Sequence, residues 1–206
     1  MRSIIYVDGF NLYYGALKGG PNKWLDLERL FRRVRTGDAV QKIKYFTALV
    51  DGPARVRQET YLRALATSPL IEILLGKYKY KQVKCMLQQC DYRGPRWFRT
   101  PEEKRTDVNI AVQMVCDAFE DRADRFVVVS GDSDLVPAVA TIKSRFPNKQ
   151  VLIYVPTQDP TRGAAVELRS SADKHRDLPL ILLRHCQFRS ELPDGAGGMI
   201  LKPAGW

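Results

Sequence analysis

Two short apolar runs, each ending in an acidic turn, constrain the fold of this 206-residue chain more than any other feature. Ile4-Ile5-Tyr6-Val7 delivers Asp8-Gly9-Phe10-Asn11, and the run from Arg125 to Ser130 delivers Gly131-Asp132-Ser133-Asp134. Uninterrupted apolar runs of this length, each leading into a helical stretch, read as strands buried on both faces of a parallel sheet. Such strands set their last residues down at the carboxyl edge, and ligands of open α/β sheets bind there, where strand order reverses. The first and fourth strands are therefore expected to flank a crevice.

The remaining pattern agrees with that wiring. Helices are expected near Leu12 to Leu17 and Leu27 to Val34, the second capped by Asp26, with another from Pro53 toward Ala66. Gln41 to Leu49 and Ile71 to Leu75 read as the second and third strands. Thr100-Pro101-Glu102-Glu103 satisfies a capping box with proline in the first turn, which predicts a helix to about Phe119 buried along Val108, Ala111, Val112, Val115 and Phe119. Beyond the fourth strand come a helix from Leu135 to Arg145, a strand from Gln150 to Val155 and a helix from Gly163 to Lys174. A last short strand is expected at Ile181 to Leu183. Strands separated by helices make a doubly wound sheet in one domain. The Gly/Pro-rich stretch from Pro193 to Trp206 is expected to lack fixed structure.

Asp8, Asp132 and Asp134 thus converge on one edge, and Asp107, near the start of its helix, should face it. Each alone reads as turn or cap chemistry. Crowded together, they would repel one another until pKa values rise or a cation neutralises them. All-oxygen ligands suit Mg²⁺ or Mn²⁺ better than zinc or copper. Asn11 and Ser130 stand beside these acids as a helix-start amide and a strand-end hydroxyl.

The net charge of +10 is concentrated. Between Lys77 and Arg105, nine basic residues face three acidic ones, a net of +6. Lys79, Lys81, Arg93, Arg96, Arg99, Lys104 and Arg105 offer phosphate contacts, and Trp97 with its aromatic neighbours offers flat surfaces for unpaired bases. Lys77 to Lys81 also alternates as a lysine-guarded edge strand would, whereas Arg93 to Arg99 reads as a basic loop. Cys85, Cys90, Cys116 and Cys186 form no framework and are expected as reduced thiols, and neither His175 nor His185 has a spaced metal-ligand partner. Nothing spans a bilayer, so a cytoplasmic protein is expected.

Three blocks resemble the signatures of NYN-domain proteins, within the PIN-like nuclease group. They are Val7-Asp8-Gly9-Phe10-Asn11-Leu12, Glu103 to Val112, and Val129-Ser130-Gly131-Asp132-Ser133-Asp134-Leu135-Val136-Pro137. The resemblance implies a Rossmann-like three-layer α/β/α fold with a mainly parallel sheet in the order 3-2-1-4-5. It also implies an acidic site of Asp8, Asn11, Asp107, Asp132 and Asp134, with Mg²⁺ or Mn²⁺ held by the four aspartates, and cleavage of single-stranded RNA. The domain would span 1–186 with a basic insertion at about 77–100, leaving 187–206 as a flexible tail. Arg105 departs from the family pattern, standing where glycine is frequent. A non-catalytic RNA-binding module is the alternative. A haloacid-dehalogenase-type phosphohydrolase fits less well, because Phe10 stands where a second acid would be needed.

Overall fold

The computed structural model describes residues 1–158 and 165–206. Its centre is a six-stranded, wholly parallel sheet in the order β3-β2-β1-β6-β7-β8. The strands are β1 (Arg2–Asp8), β2 (Ala39–Thr47), β3 (Ile71–Leu75), β6 (Arg125–Val129), β7 (Gln150–Val155) and β8 (Lys174–Asp177). Apart from the added edge strand β8, this is the expected arrangement, with β6 and β7 in the places of the fourth and fifth strands.

Side-chain alternation divides the core between the two faces. Ile5 and Val7 of β1 join Ile43, Val127 and Val129 under α2 (Leu27–Val34) and α3 (Ala54–Leu65). Ile4 and Tyr6 join Phe46, Phe126 and Val128 under α4 (Thr106–Phe119) and α5 (Val136–Arg145). Strand β1 is followed by a short helix, α1 (Gly9–Leu12), which continues as a π-helical turn over Tyr13–Leu17.

The helix expected from Thr100 begins only at Thr106, because Trp97–Lys104 is a strand, β5. It pairs antiparallel with β4 (Lys77–Lys84), placing Pro101 opposite Tyr80. A two-stranded ribbon is all edge, so the missing N–H of Pro101 is tolerated, and eight cross-strand pairs outweigh a local capping signal. Both readings of the basic segment hold in part: Lys77–Lys81 is strand and Arg93 to Arg96 lies in the connecting loop.

The buried stripe of α4 also differs from the expected one. Ile110, Met114 and Ala118 are buried, while Val108, Val112 and Phe119 are exposed. Asp117 decides the rotation. It is buried on the same face, where it accepts hydrogen bonds from Lys44 Nζ of β2 and the Tyr6 hydroxyl, both at 2.7 Å. A buried carboxylate needs such partners, and meeting them turns the valines outward.

Helix α6 covers Val166–Ser171, and the expected start at Gly163 lies outside the described residues. Lys174, the expected end of that helix, instead opens β8, and Ile181–Leu183 lies within a 3-10 helix (Leu180–His185) in place of a strand. The Gly/Pro-rich stretch is folded. Strands β9 (Glu191–Pro193) and β10 (Met199–Leu201) form a hairpin, with Ile200 buried in the main core. The Asp194 carboxylate accepts from the amides of Ala196 and Gly198, and Gly195 and Gly197 supply positive φ angles. Glycine here makes a tight turn possible.

Candidate metal centre at the carboxyl edge of the sheet

Asp8 is the last residue of β1 and is 2% exposed. It caps α1, its Oδ1 accepting from the Asn11 backbone N–H at 2.9 Å. Its Oδ2 accepts from Asn11 Nδ2 at 2.7 Å and from the Ser130 hydroxyl at 3.0 Å. Asn11 Oδ1 then accepts from the Gly131 N–H at 3.1 Å, and Ser130 Oγ accepts from the Asp132 N–H at 3.1 Å. The ends of the adjacent strands β1 and β6 are thus joined through side chains from both signature blocks. Close approach requires Gly9, where a Cβ would come within 2.7 Å of the Phe46 carbonyl oxygen and of Tyr45 Oη.

Three carboxylates stand at the open side of this web. Asp107 lies in the first turn of α4, and Asp132 and Asp134 lie at the start of the 3-10 turn Ser133–Leu135. Asp107, Asp132 and Asp134 each offer an oxygen within 4.8 Å of the others. Burial, together with the charges of Asp8, Asp132, Glu103 and Asp134, pushes the Asp107 carboxyl up to about 6. Burial also raises Asp8, with the hydrogen bonds from Asn11 and Ser130 pulling the other way. The donor set is all oxygen and electrostatically strained, which fits a hard divalent cation. Among the described residues no histidine or cysteine joins the group.

Of the four expected ligands, then, three come together as a trio, and Asp8 stands beside them with both oxygens engaged by donors. Sequence reasoning overlooked Glu103, assigned only to a cap. It does cap, accepting from the Thr106 N–H at 3.1 Å and from the Thr106 hydroxyl, but from β5, ahead of the helix. Its charge reaches both Asp8 and Asp107. An acid four residues before Asp107 was the available signal.

The basic residues lie mostly on the β4–β5 ribbon. Lys79, Lys81, Arg93, Arg96, Trp97 and Arg99 are exposed. Arg99 lies over the Tyr80 ring at 4.4 Å, and Lys104 pairs with Glu102 at 2.9 Å. Tyr78 stacks on Phe10 of α1 with centroids 6.4 Å apart, which ties the ribbon to the Asp8 side of the crevice. Arg105, before α4, has φ of 79°, a left-handed conformation that favours glycine. The departure from the family pattern therefore falls on a strained backbone position.

A curated relative, the 6-hydroxy-3-succinoylpyridine 3-monooxygenase HspA of Pseudomonas putida, is 30% identical over 239 aligned positions, covering 100% of this chain and 75% of the relative. A crystal structure of a protein of unknown function from Vibrio parahaemolyticus matches with a TM-score of 0.53 at 22% identity. That match covers 86% of this chain and 92% of the other, and it is a likeness of fold. The NYN domain family model matches residues 2–180, so with its acidic crevice at the sheet edge this chain belongs to the NYN domain family.

Proposed function

We propose that the protein is a metal-dependent ribonuclease that hydrolyses phosphodiester bonds of single-stranded RNA, using Mg²⁺ or Mn²⁺. The observation that carries this reading is the trio of carboxylates within 4.8 Å at the sheet edge, with Asp107 titrating near 6. A divalent ion held by Asp107, Asp132 and Asp134 would supply Lewis acidity and neutralise charge at a phosphate. Asp8 acts one step back: through Asn11 and Ser130 it holds the backbone amides of Gly131 and Asp132, and so sets the position of the Asp132 carboxylate. Lys79, Lys81, Arg93, Arg96 and Arg99, with Lys104 and Arg105 nearer the crevice, would hold backbone phosphates without reading sequence. Exposed Trp97 and Phe98 would stack unpaired bases.

The direct test is incubation with labelled single-stranded RNA and Mn²⁺ beside the Asp8→Asn and Asp132→Asn variants. Cleavage should need the metal and fall in both variants; equal cleavage by all three proteins rejects the proposal. A second reading rests on the similarity, over the whole of this chain and 75% of the relative, to a protein named as a monooxygenase. Oxygenation of a small aromatic substrate consumes O₂ and two electrons from an external reductant. Substrate-dependent oxygen consumption with RNA left intact would favour that reading.

A further inference from the structure

Strand β1 has β6 on one side and β2 on the other. Over the ends of β1 and β2, on the flank opposite β6, lies a cavity of about 470 Å³, a size typical of small-ligand sites. Its walls include Phe10, Tyr13, Tyr45, Tyr61, Tyr78 and Trp206. These rings already pack at aromatic distances: Phe10 and Tyr78 lie 11° from parallel, and Tyr61 meets Tyr45 at 6.2 Å and Trp206 at 5.7 Å.

Two features of the lining leave polar groups open to a ligand. Tyr45 is 7% exposed, and its hydroxyl, which makes no hydrogen bond among the described residues, is not one of the fully buried unpartnered atoms but keeps some exposure at the cavity wall. Neighbouring Tyr61, by contrast, donates to the Leu25 carbonyl at 2.8 Å. A phenol so placed is an open hydrogen-bond donor that a ligand or water in the cavity can meet. Burial and the nearby Asp8 charge push the Tyr45 hydroxyl upward, so it remains a donor at neutral pH. Lys23 and exposed Arg57 also line the cavity, and neither makes an ion pair or hydrogen bond among the described residues. Asp51 is the one acidic side chain among the described residues of the lining, against the two basic side chains of Lys23 and Arg57.

We propose that this cavity binds a planar aromatic ring bearing an anionic group, with the ring between the aromatic walls, an acceptor facing the Tyr45 hydroxyl, and the anion held by Arg57 and Lys23. Aromatic walls recognise a ring by its faces, while the cations are worth most to an anion partly removed from water. The assignment holds whichever reaction the acidic crevice performs. Two sources share this chemistry: an unstacked nucleobase with its phosphate, and a free aromatic carboxylate.

Calorimetric titration of the full chain in EDTA, with adenosine 5′-monophosphate and separately with pyridine-3-carboxylate, tests the proposal. At least one should bind with one-to-one stoichiometry. Affinity should fall about tenfold in Arg57→Ala and about threefold in Tyr45→Phe. It should be unchanged in Asp132→Asn and in Arg33→Ala, an exposed arginine outside the cavity. Binding of the nucleotide alone assigns the cavity to a base of a strand, and binding of the carboxylate alone assigns it to a small molecule. Absence of binding by both at millimolar concentration, or equal losses in Arg33→Ala and Arg57→Ala, overturns the proposal. Because EDTA removes the metal, failure here is distinct from failure of the nuclease reading.

Discussion

Asp8 and the trio facing it are all aspartates at one sheet edge, yet they occupy opposite physical situations. Asp8 is buried and accepts three hydrogen bonds, so its charge is compensated by fixed donors. Asp107, Asp132 and Asp134 are more open, and the first of them is pushed up to about 6 by partial burial and then by the charges of its neighbours. One carboxylate holds the architecture, and three hold the unspent charge. Proximity in space does not give residues of the same type the same work; the donors around each one do.

The comparison breaks most visibly in catalysis. Asp107→Asn and Asp132→Asn should lower metal-dependent RNA cleavage by more than about a hundredfold, above what supporting residues around a metal usually cost. Chemical denaturation of the metal-free proteins should show neither variant less stable. Asp8→Asn should behave conversely in that denaturation experiment. An amide placed there sets an NH₂ against donors from Asn11 or Ser130, and about 2 kcal/mol of stability should be lost. If Asp8→Asn unfolds at the wild-type denaturant concentration, the contrast between the two regions is wrong.

A pH series sharpens the same contrast. The folded pKa of Asp107 lies above its unfolded value, so between roughly 4 and 6 the folded protein keeps a proton that the unfolded chain releases. Stability of the metal-free protein therefore falls as pH rises through that window, and the loss is complete above about 6. Solvent screening reduces this to about 1 kcal/mol, and Asp107→Asn should remove it. Saturating Mn²⁺ should abolish the fall in the wild type. The smallest effect belongs to the approach to α4: Arg105→Gly should raise stability by about 0.5 kcal/mol, relief of the left-handed backbone being partly offset by a freer unfolded chain.

Much of this site was legible before any coordinates. Asp8, Asp132 and Asp134 end or follow apolar runs whose burial demands a central parallel strand, so their common edge follows from short-range pattern. Asp107 lies at the edge as expected although its helix starts at Thr106 and not at Pro101, because the acid sits near the helix start on either boundary. The web around Asp8 was not legible. It depends on β1 lying directly beside β6, which brings Ser130 within reach of a residue 122 positions away. The rotation of α4 was hidden for a similar reason. Val108, Val112 and Phe119 have helical spacing as good as that of Ile110, Met114 and Ala118, and it is Lys44 and Tyr6, both far off in the chain, that select between the two stripes through Asp117.

By itself the chain determined a parallel α/β sheet, the strand ends that carry acids, and a concentration of positive charge and aromatic rings before α4, since these follow from hydrophobic runs, local turn chemistry and composition. Tertiary structure alone decided that the basic segment becomes an antiparallel ribbon, that the glycine-rich stretch folds into the core, and that Tyr45, Tyr61 and Trp206 enclose a cavity beside Asp8. Each of those outcomes depends on contacts between segments distant in sequence, whose energies override local preference and leave no periodic trace in it.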